Sequence, residues 1–141
     1  MVKLKGLELL NACYFGNEHL AIRLLREGAQ PDWMDPRDGW TGIHYAARWG
    51  LISVLNQLLK SGVDVNMRSS EKETPLHKAC RSKKLKTCIW LMKNGADPTL
   101  RNMEGLTASE ITVEEDLKYV CDNYEEYCKK KKDQSNGKTV S

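Results

Sequence analysis

Thr41-Gly42-Ile43-His44-Tyr45-Ala46-Ala47-Arg48 is matched, thirty-three residues further along the chain, by Thr74-Pro75-Leu76-His77-Lys78-Ala79-Cys80-Arg81. A second pair of segments, LLKSGVD at residues 58–64 and LMKNGAD at residues 91–97, has the same offset. A fixed period with matching residue types predicts an array of structural repeats, in which each unit packs only on its neighbours.

These segments resemble the Thr-Pro-Leu-His and Gly-Ala-Asp signatures of ankyrin repeats. The resemblance covers residues 4–128 and is strongest in the second and third of four units. It implies an all-α fold, a solenoid of stacked helix-turn-helix units with hairpin-like turn fingers. We expect one ankyrin repeat domain over residues 1–132, with units at about 4–35, 36–68, 69–101 and 102–132. The first and last units are interpreted as degenerate caps, which a solenoid needs at its ends.

The resemblance also assigns structural roles to the residues that recur with the period. It implies that the two histidines of the repeated segments bridge neighbouring turns through hydrogen bonds to backbone and to threonine hydroxyls, so we expect neither catalysis nor metal binding from them. The residues given such structural roles are Thr41, His44, Gly50, Gly62, Thr74, Pro75, His77, Gly95 and Thr107.

Three positions depart from the family pattern. Gly42 replaces the proline that favours the first turn of a helix. Lys72 and Lys83 stand where glycines would be usual, and a non-glycine residue in the left-handed conformation costs about 1 kcal/mol. We therefore expect this array to be less stable than one that carries the usual family residues at these three positions.

The C-terminal unit has its own local signals. Thr107 with Glu110, and Thr112 with Glu115, have the spacing of a capping box, in which two side chains satisfy the free N–H groups of a helix start. We expect one helix over residues 115–130. The polar, glycine-containing segment 133–141 is predicted to be a disordered tail.

Composition narrows the class of protein. The chain has 141 residues, 40% hydrophobic and 29% charged, which is ordinary for a globular domain. Its five cysteines are odd in number and form no Cys-x-x-Cys pair, which argues against a disulfide framework and a zinc site. We expect buried thiols, no metal and no cofactor. Together with the lack of a signal sequence, this favours the cytoplasm, with the nucleus as the alternative.

Charge is distributed unevenly although the net charge is only +3. Residues 72–93 hold seven basic residues and one acid, and residues 104–126 hold eight acids and one base. Solvated helix faces explain this pattern most simply. The alternative is a polarised surface that orients an acidic partner.

The resemblance places partner binding on the turn fingers and on the exposed ends of the first helices. Aromatic residues and arginine dominate binding hot spots, and both occur at these positions. The candidate residues in the fingers are Met34, Arg37, Asp38, Trp40, Arg68, Glu71, Glu73, Arg101, Met103 and Leu106. The candidates at the helix ends are Tyr14, Phe15, Arg48, Trp49, Arg81 and Ser82. Packing between turns is the alternative role for Trp40.

Arginines recur in register between units, as Arg48 with Arg81 and Arg68 with Arg101. Because arginine holds carboxylates with two hydrogen bonds, we expect the partner to be a protein segment with acidic residues beside apolar ones. Binding is then expected to weaken as salt concentration rises. The chain is expected to be a monomer.

The sequence therefore predicts a non-enzymatic adaptor or scaffold that binds another protein and no small-molecule substrate. Three alternatives stay open: a regulatory or targeting segment of a larger, perhaps enzymatic protein; a stand-alone inhibitor; and binding to an anionic membrane or nucleic acid. The last would use the basic third unit or the lysine run 129–132. We do not expect it, because the lysine run lacks an adjoining apolar anchor and the last unit is acidic.

Overall fold

The computed structural model describes the backbone of residues 2–138 and the side chains of residues 4–133. Within these residues the chain forms nine α-helices joined by turns, which confirms the expected all-α solenoid. The helices are α1 Val2–Tyr14, α2 Glu18–Arg26, α3 Gly42–Trp49, α4 Ile52–Lys60, α5 Pro75–Arg81, α6 Leu85–Lys93, α7 Ala108–Ile111, α8 Glu115–Asp122 and α9 Tyr124–Lys138.

The helices form two rows. The first helices of successive units, α1, α3, α5 and α7, contact one another in order and form the inner row. In the outer row α2 packs on α4 and α6 packs on α8. Ala46, Ala47 and Ala79 are fully buried between inner helices, and Leu55, Leu58 and Leu91 fill the space between the rows. The small residues let the inner helices approach closely, so the first-helix ends lie side by side.

Lysine replaces glycine in the third unit without changing the course of the backbone. Gly50 ends α3 at a φ of 75°, and Lys83 takes the matching position after α5 at a φ of 58°. The closing hydrogen bonds are also equivalent, since Leu51 N–H donates to Ala46 O at 2.9 Å and Lys84 N–H donates to Ala79 O at 3.0 Å. Lys72 has a φ of 60°, as expected. Each lysine costs about 1 kcal/mol in this conformation.

The two repeated histidines lie between the units. The Thr41 N–H donates to Nδ1 of His44 at 3.1 Å, so this nitrogen carries no proton. The opposite nitrogen, Nε2, therefore donates to the carbonyl oxygens of Met67 at 2.9 Å and Glu73 at 3.1 Å in the next finger. Each imidazole thus fixes its own helix start to the backbone of the following unit.

His77 repeats this arrangement one unit later. Thr74 N–H donates to its Nδ1 at 3.1 Å, and its Nε2 donates to the carbonyl oxygen of Leu106 at 3.0 Å. Burial lowers the pKa of both histidines, that of His44 to about 4. The neutral form is therefore the one that holds the fingers in place.

A buried charge network adds a second connection around the third unit. Glu73 is 1% exposed, and its carboxylate accepts hydrogen bonds from Lys78 Nζ at 2.8 Å, Arg81 Nη2 at 2.6 Å and Asn102 Nδ2 at 2.9 Å. Burial alone would raise the pKa of Glu73, but these hydrogen bonds outweigh it and hold the pKa at about 2. The network links the finger that contains Glu73 to α5 and to the finger that contains Asn102.

The cysteines are small packing residues. Cys13, Cys80, Cys88 and Cys121 are buried free thiols, and Cys128 is half-buried. Sγ of Cys80 lies 3.5 Å from that of Cys88 and 3.8 Å from that of Cys121, where α5, α6 and α8 meet.

The fourth unit differs from the sequence prediction at its helix starts. Thr107 lies at the N-cap of α7, but its hydroxyl contacts Ser109 Oγ at 3.2 Å instead of a backbone N–H. Glu110 faces Arg101, with 3.5 Å between the charged groups. Thr112 is the last residue of the α7 turn and accepts from Glu114 N–H at 3.1 Å, which is a local turn. Both predicted capping boxes are therefore wrong.

The C-terminal helix also differs from its prediction. Asn123 divides the expected single helix, because its backbone leaves the helical conformation at a φ of −125° and a ψ of 33°. Its backbone N–H and its side chain both donate to Tyr119 O, at 2.9 Å and 3.0 Å. The segment 133–138, predicted to be a disordered tail, continues α9. Lysine has a high helix propensity, so the lysines at residues 129–132 favour the extension of α9 into this segment. Residues 139–141 lie outside the described residues. No helix in the described part of the chain is long and apolar enough to span a membrane.

The neutral histidines predict a loss of stability in mild acid. The unfolded chain takes up a proton on His44 near its ordinary pKa of 6.5, whereas the folded chain does so only near 4. The contribution of neutral His44 to the free energy of unfolding is therefore fully present above pH 6.5. It decreases as the pH falls from 6.5 to about 4, by about 1 kcal/mol per pH unit for a fully buried histidine. Urea unfolding at intervals from pH 7 to pH 5 measures this slope. A His44→Gln variant should be less stable at pH 7 and show a shallower slope; a parent with flat stability over this range would contradict the assignment.

Removing the buried carboxylate should be costly. Glu73→Gln leaves Lys78 charged and buried without its counter-ion, so we expect a loss of about 3–5 kcal/mol in the free energy of unfolding. The control is Glu71→Gln, two residues away on the exposed side of the same finger, which should change stability by about 0.5 kcal/mol or less. Chemical denaturation at pH 7 compares the two variants. Equal stability of both would show that the network contributes nothing.

Candidate functional site

Exposed apolar side chains collect where the inner helices end and the first fingers begin. Phe15 is 75% exposed, Met34 51%, Tyr14 48% and Trp49 47%. All four were predicted as partner-binding residues. Large apolar side chains that are exposed together lower the solubility of a protein, and such surfaces commonly mark interaction sites.

The aromatic rings in this region touch one another across two units. Tyr14 packs edge-on against Phe15, with 4.9 Å between ring centroids, and against Tyr45 at 5.2 Å. Tyr45 in turn lies 4.7 Å from Trp40. Trp49 Nε1–H donates to Tyr14 O at 2.9 Å. The rings are thus held in place by one another and by the backbone before any partner arrives.

Arg48 completes this surface. Its guanidinium lies 6.0 Å from the Trp40 ring centroid and 5.9 Å from that of Trp49. Among the side chains of residues 4–133, no carboxylate forms a salt bridge with it. We call the group Tyr14, Phe15, Trp40, Tyr45, Arg48 and Trp49 the aromatic–arginine patch.

Trp40 connects the patch to the buried network. Lys78 Nζ lies 3.7 Å from the Trp40 ring centroid on one side and 2.8 Å from Glu73 Oε1 on the other. Burial lowers the pKa of Lys78, and its salt bridge with Glu73 opposes that shift. The Lys78 ammonium therefore holds the Trp40 ring in place. Trp40 is half-buried and packs between units, which is the alternative role that the sequence suggested for it.

The first finger is stiffened by its own salt bridge. Arg37 donates to Asp35 through Nε at 3.1 Å and through Nη2 at 2.8 Å, and its backbone N–H donates to the same carboxylate at 2.9 Å. These hydrogen bonds lower the pKa of Asp35. The Arg37 side chain remains 84% exposed, and a cavity of about 250 Å³ lies between this finger and the end of α1. Arg37 is accessible, but its charge is already paired.

Neighbouring fingers are joined by backbone hydrogen bonds. Ser70 N–H donates to Asp38 O at 3.0 Å, and Met103 N–H donates to Glu71 O at 2.9 Å. Gly39 is required at the first junction, because a Cβ there would lie 2.7 Å from Ser70 N. The half-buried Asp38 also accepts from Trp40 N–H at 3.0 Å. Glu71 and the 68%-exposed Met103 are accessible.

The structure corrects the prediction for Glu73. The resemblance placed Glu73 among the partner-binding residues of the finger, but the carboxylate is buried in the network described above and cannot contact a partner. Arg81 donates to Glu73 through both Nε and Nη2, so its charge is satisfied within the chain, and Ser82 is the half-buried C-cap of α5.

The second arginine pair also has internal partners. Arg68 donates to Lys72 O at 3.2 Å and to Arg101 O. Arg101 donates to Gly105 O at 2.7 Å, and Leu106 is half-buried. Both arginines brace fingers, and this explains their recurrence. Among the four recurring arginines, Arg48 alone has no carboxylate or carbonyl partner in the described residues.

Two residues of the site were missed from the sequence. Tyr45 and Lys78 occupy the same position in successive units, directly after the repeated histidine. They are buried on the helix side that faces Trp40. Tyr45 and Lys78 are thirty-three residues apart, but because their side chains differ in chemistry, the repeat pattern did not predict a shared role for them.

Comparisons with known proteins agree with this architecture. A family model described as ankyrin repeats in three copies matches residues 9–102. The chain is 30% identical over 112 residues to BCL-6 corepressor-like protein 1 of Homo sapiens, covering 78% of this chain and 6% of that protein. It is 35% identical over 100 residues to protein phosphatase 1 regulatory subunit 12A of Mus musculus, covering 71% and 10%.

Rabankyrin-5 of Homo sapiens is 33% identical over 98 residues, covering 70% of this chain and 8% of that protein. The chain thus spans a tenth or less of the length of these three relatives. The family model covers most of the chain, including helices α2 to α6 and both repeated histidines. The chain therefore belongs to the ankyrin repeat family, whose members are in general non-enzymatic protein–protein interaction modules.

Proposed function

We propose that this chain is a protein-binding adaptor that holds a segment of its partner on the aromatic–arginine patch and the adjoining first finger. One observation carries the proposal: Phe15, Met34 and Trp49 are about half exposed or more on a surface that hydrogen bonds hold in place. An interaction surface that is already ordered loses little conformational entropy on binding.

The patch supports a partner of mixed character. Phe15 and Met34 are exposed apolar side chains, and Arg48 offers a cation beside Trp49 that has no carboxylate partner among residues 4–133. Arg48 is exposed and lies beside two tryptophan rings, and a guanidinium can hold a carboxylate with two charge-assisted hydrogen bonds. We therefore propose a segment that carries an acidic residue next to a large apolar one.

A second candidate function is a targeting segment within a longer protein. It is favoured by the relatives, in which the matched part is a small fraction of a longer chain. One of them is named as a regulatory subunit of a phosphatase. The same patch would then direct the remainder of the protein to its partner. The length of the natural gene product distinguishes this candidate from a stand-alone adaptor.

Truncating the exposed aromatic should remove binding without unfolding the chain. We expect Phe15→Ala to weaken capture of protein partners by about 2 kcal/mol, roughly thirtyfold, because it deletes a central apolar anchor. The measurement is quantitative affinity purification from cell extract, with the melting temperature checked by circular dichroism. Tyr119→Ala is the matched control, since Tyr119 is a 43%-exposed aromatic on α8, outside the patch.

The charged part of the patch is tested in the same purification. Arg48→Gln should release partners at lower salt than the parent, whereas Arg26→Gln, an exposed arginine at the end of α2, should behave as the parent. If folded Phe15→Ala and Arg48→Gln variants both keep every partner at parental yield, the patch is not the binding surface.

A further inference from the structure

A second concave site lies away from the patch, between the outer helix α6 and the C-terminal helix α9. It is a cavity of about 330 Å³. Its lining residues are Ile89 and Lys93 from α6 and Tyr127, Cys128, Lys131 and Lys132 from α9.

The lining separates into an apolar floor and a cationic rim. Ile89, Tyr127 and Cys128 are half-buried, and the three lysines are exposed. The lining contains no carboxylate. Within residues 4–133, none of these three lysines forms a salt bridge, whereas Lys130 on the same helix pairs with Glu126 at 3.2 Å. Lys131 lies over the Tyr127 ring at 5.2 Å instead.

The hydrogen-bonding chemistry of the lining is one-sided. Each lysine ammonium supplies three donors and no acceptor, and among the lining side chains only the Tyr127 hydroxyl is a good acceptor. A peptide segment would bring amide N–H groups that find almost no partner here. A ligand whose polar end only accepts, such as a carboxylate, matches the rim and leaves no donor unpaired.

The volume of the cavity also favours a small ligand over a peptide segment. Cavities that hold small molecules measure roughly 300–1,000 Å³, so this one lies at the small end of that range. It suits one hydrocarbon chain on the floor formed by Ile89 and Tyr127. A partner helix, about 10 Å across, would need a longer groove.

From this arrangement we infer that the α6–α9 cavity binds a free single-chain amphiphilic carboxylate of the fatty-acid class. The hydrocarbon chain lies against Ile89, Tyr127 and Cys128, and the carboxylate accepts hydrogen bonds from Lys93, Lys131 and Lys132. The site shares no residue with the aromatic–arginine patch, so it stands or fails independently of the proposed function.

Titration calorimetry of the full chain with dodecanoate, kept below the concentration at which it forms micelles, tests the inference. We expect saturable one-to-one binding, and about tenfold weaker binding for Lys93→Gln and for Lys132→Gln, since each removes a charge-assisted hydrogen bond. Ile89→Glu, which puts a negative charge on the floor, should abolish binding. Lys60→Gln, an exposed lysine at the end of α4, is the matched control and should bind as the parent.

Two further ligands decide between sources of the same chemistry. Dodecanol has the same chain without the charge and should bind far more weakly; equal binding would overturn the role of the lysines. Phosphatidylserine vesicles test a membrane surface, and binding to vesicles without binding to free dodecanoate would overturn the inference. So would parental affinity in the folded Lys93→Gln, Lys132→Gln and Ile89→Glu variants, whose folding is checked by circular dichroism.

Discussion

The imidazole between two backbones is the interaction on which this structure depends. In each of the two central repeats a neutral histidine accepts from the threonine N–H at its own helix start, through Nδ1, and donates to a carbonyl of the next finger, through Nε2. Helix packing alone would not fix the positions of the fingers relative to the helices. The imidazole of His44 joins the finger at residues 67–73 to the start of α3, and that of His77 joins Leu106 to the start of α5, so the stacking of the helices sets the position of these two fingers.

The patch adjoins the start of α3, where the Thr41 N–H donates to Nδ1 of His44. Trp40 follows the first finger and meets Tyr45 on the helix that begins at Thr41, so the two rings come together only if finger and helix keep their relative position. Lys78, held between Trp40 and Glu73, extends the same frame into the third repeat. The third repeat also contains the Glu73 network, and removing one partner from a buried charge pair costs several kcal/mol. This repeat keeps the family geometry although Lys72 and Lys83 take left-handed conformations in it.

The period of the sequence predicted the fold because the recurring residues have roles that depend on neighbouring repeats. Thr74-Pro75-Leu76-His77 is a complete family signature, and the structure builds the expected helix start from it. The ends of the array were less predictable, because a capping repeat has no neighbour to select its pattern. Asn123 is one example: asparagine occurs both inside helices and at their ends, so its type did not predict the non-helical backbone at this residue.

For the site, residue type alone identified exposed aromatics such as Phe15 and Trp49, but it did not separate free charges from paired ones. Arg48 and Arg81 are equivalent by spacing, yet Arg81 is held by Glu73 while Arg48 lies over two tryptophan rings. The difference arises because Glu73 turns inward, where Lys78 and Asn102 provide buried partners. Such pairing involves two neighbouring repeats, because Glu73, Lys78 and Arg81 belong to the third repeat and Asn102 to the fourth.

Native-state hydrogen exchange on the unbound chain tests the central claim most directly, because the account requires fingers as rigid as the helices they join. The amides of Thr41 and Thr74, which donate to the histidine Nδ1 atoms, should exchange as slowly as those of the buried helix residues Leu55 and Leu91. Exchange of these two threonine amides at the rate of exposed turns, with the core helices still protected, would show that the fingers move independently and that no preformed surface exists.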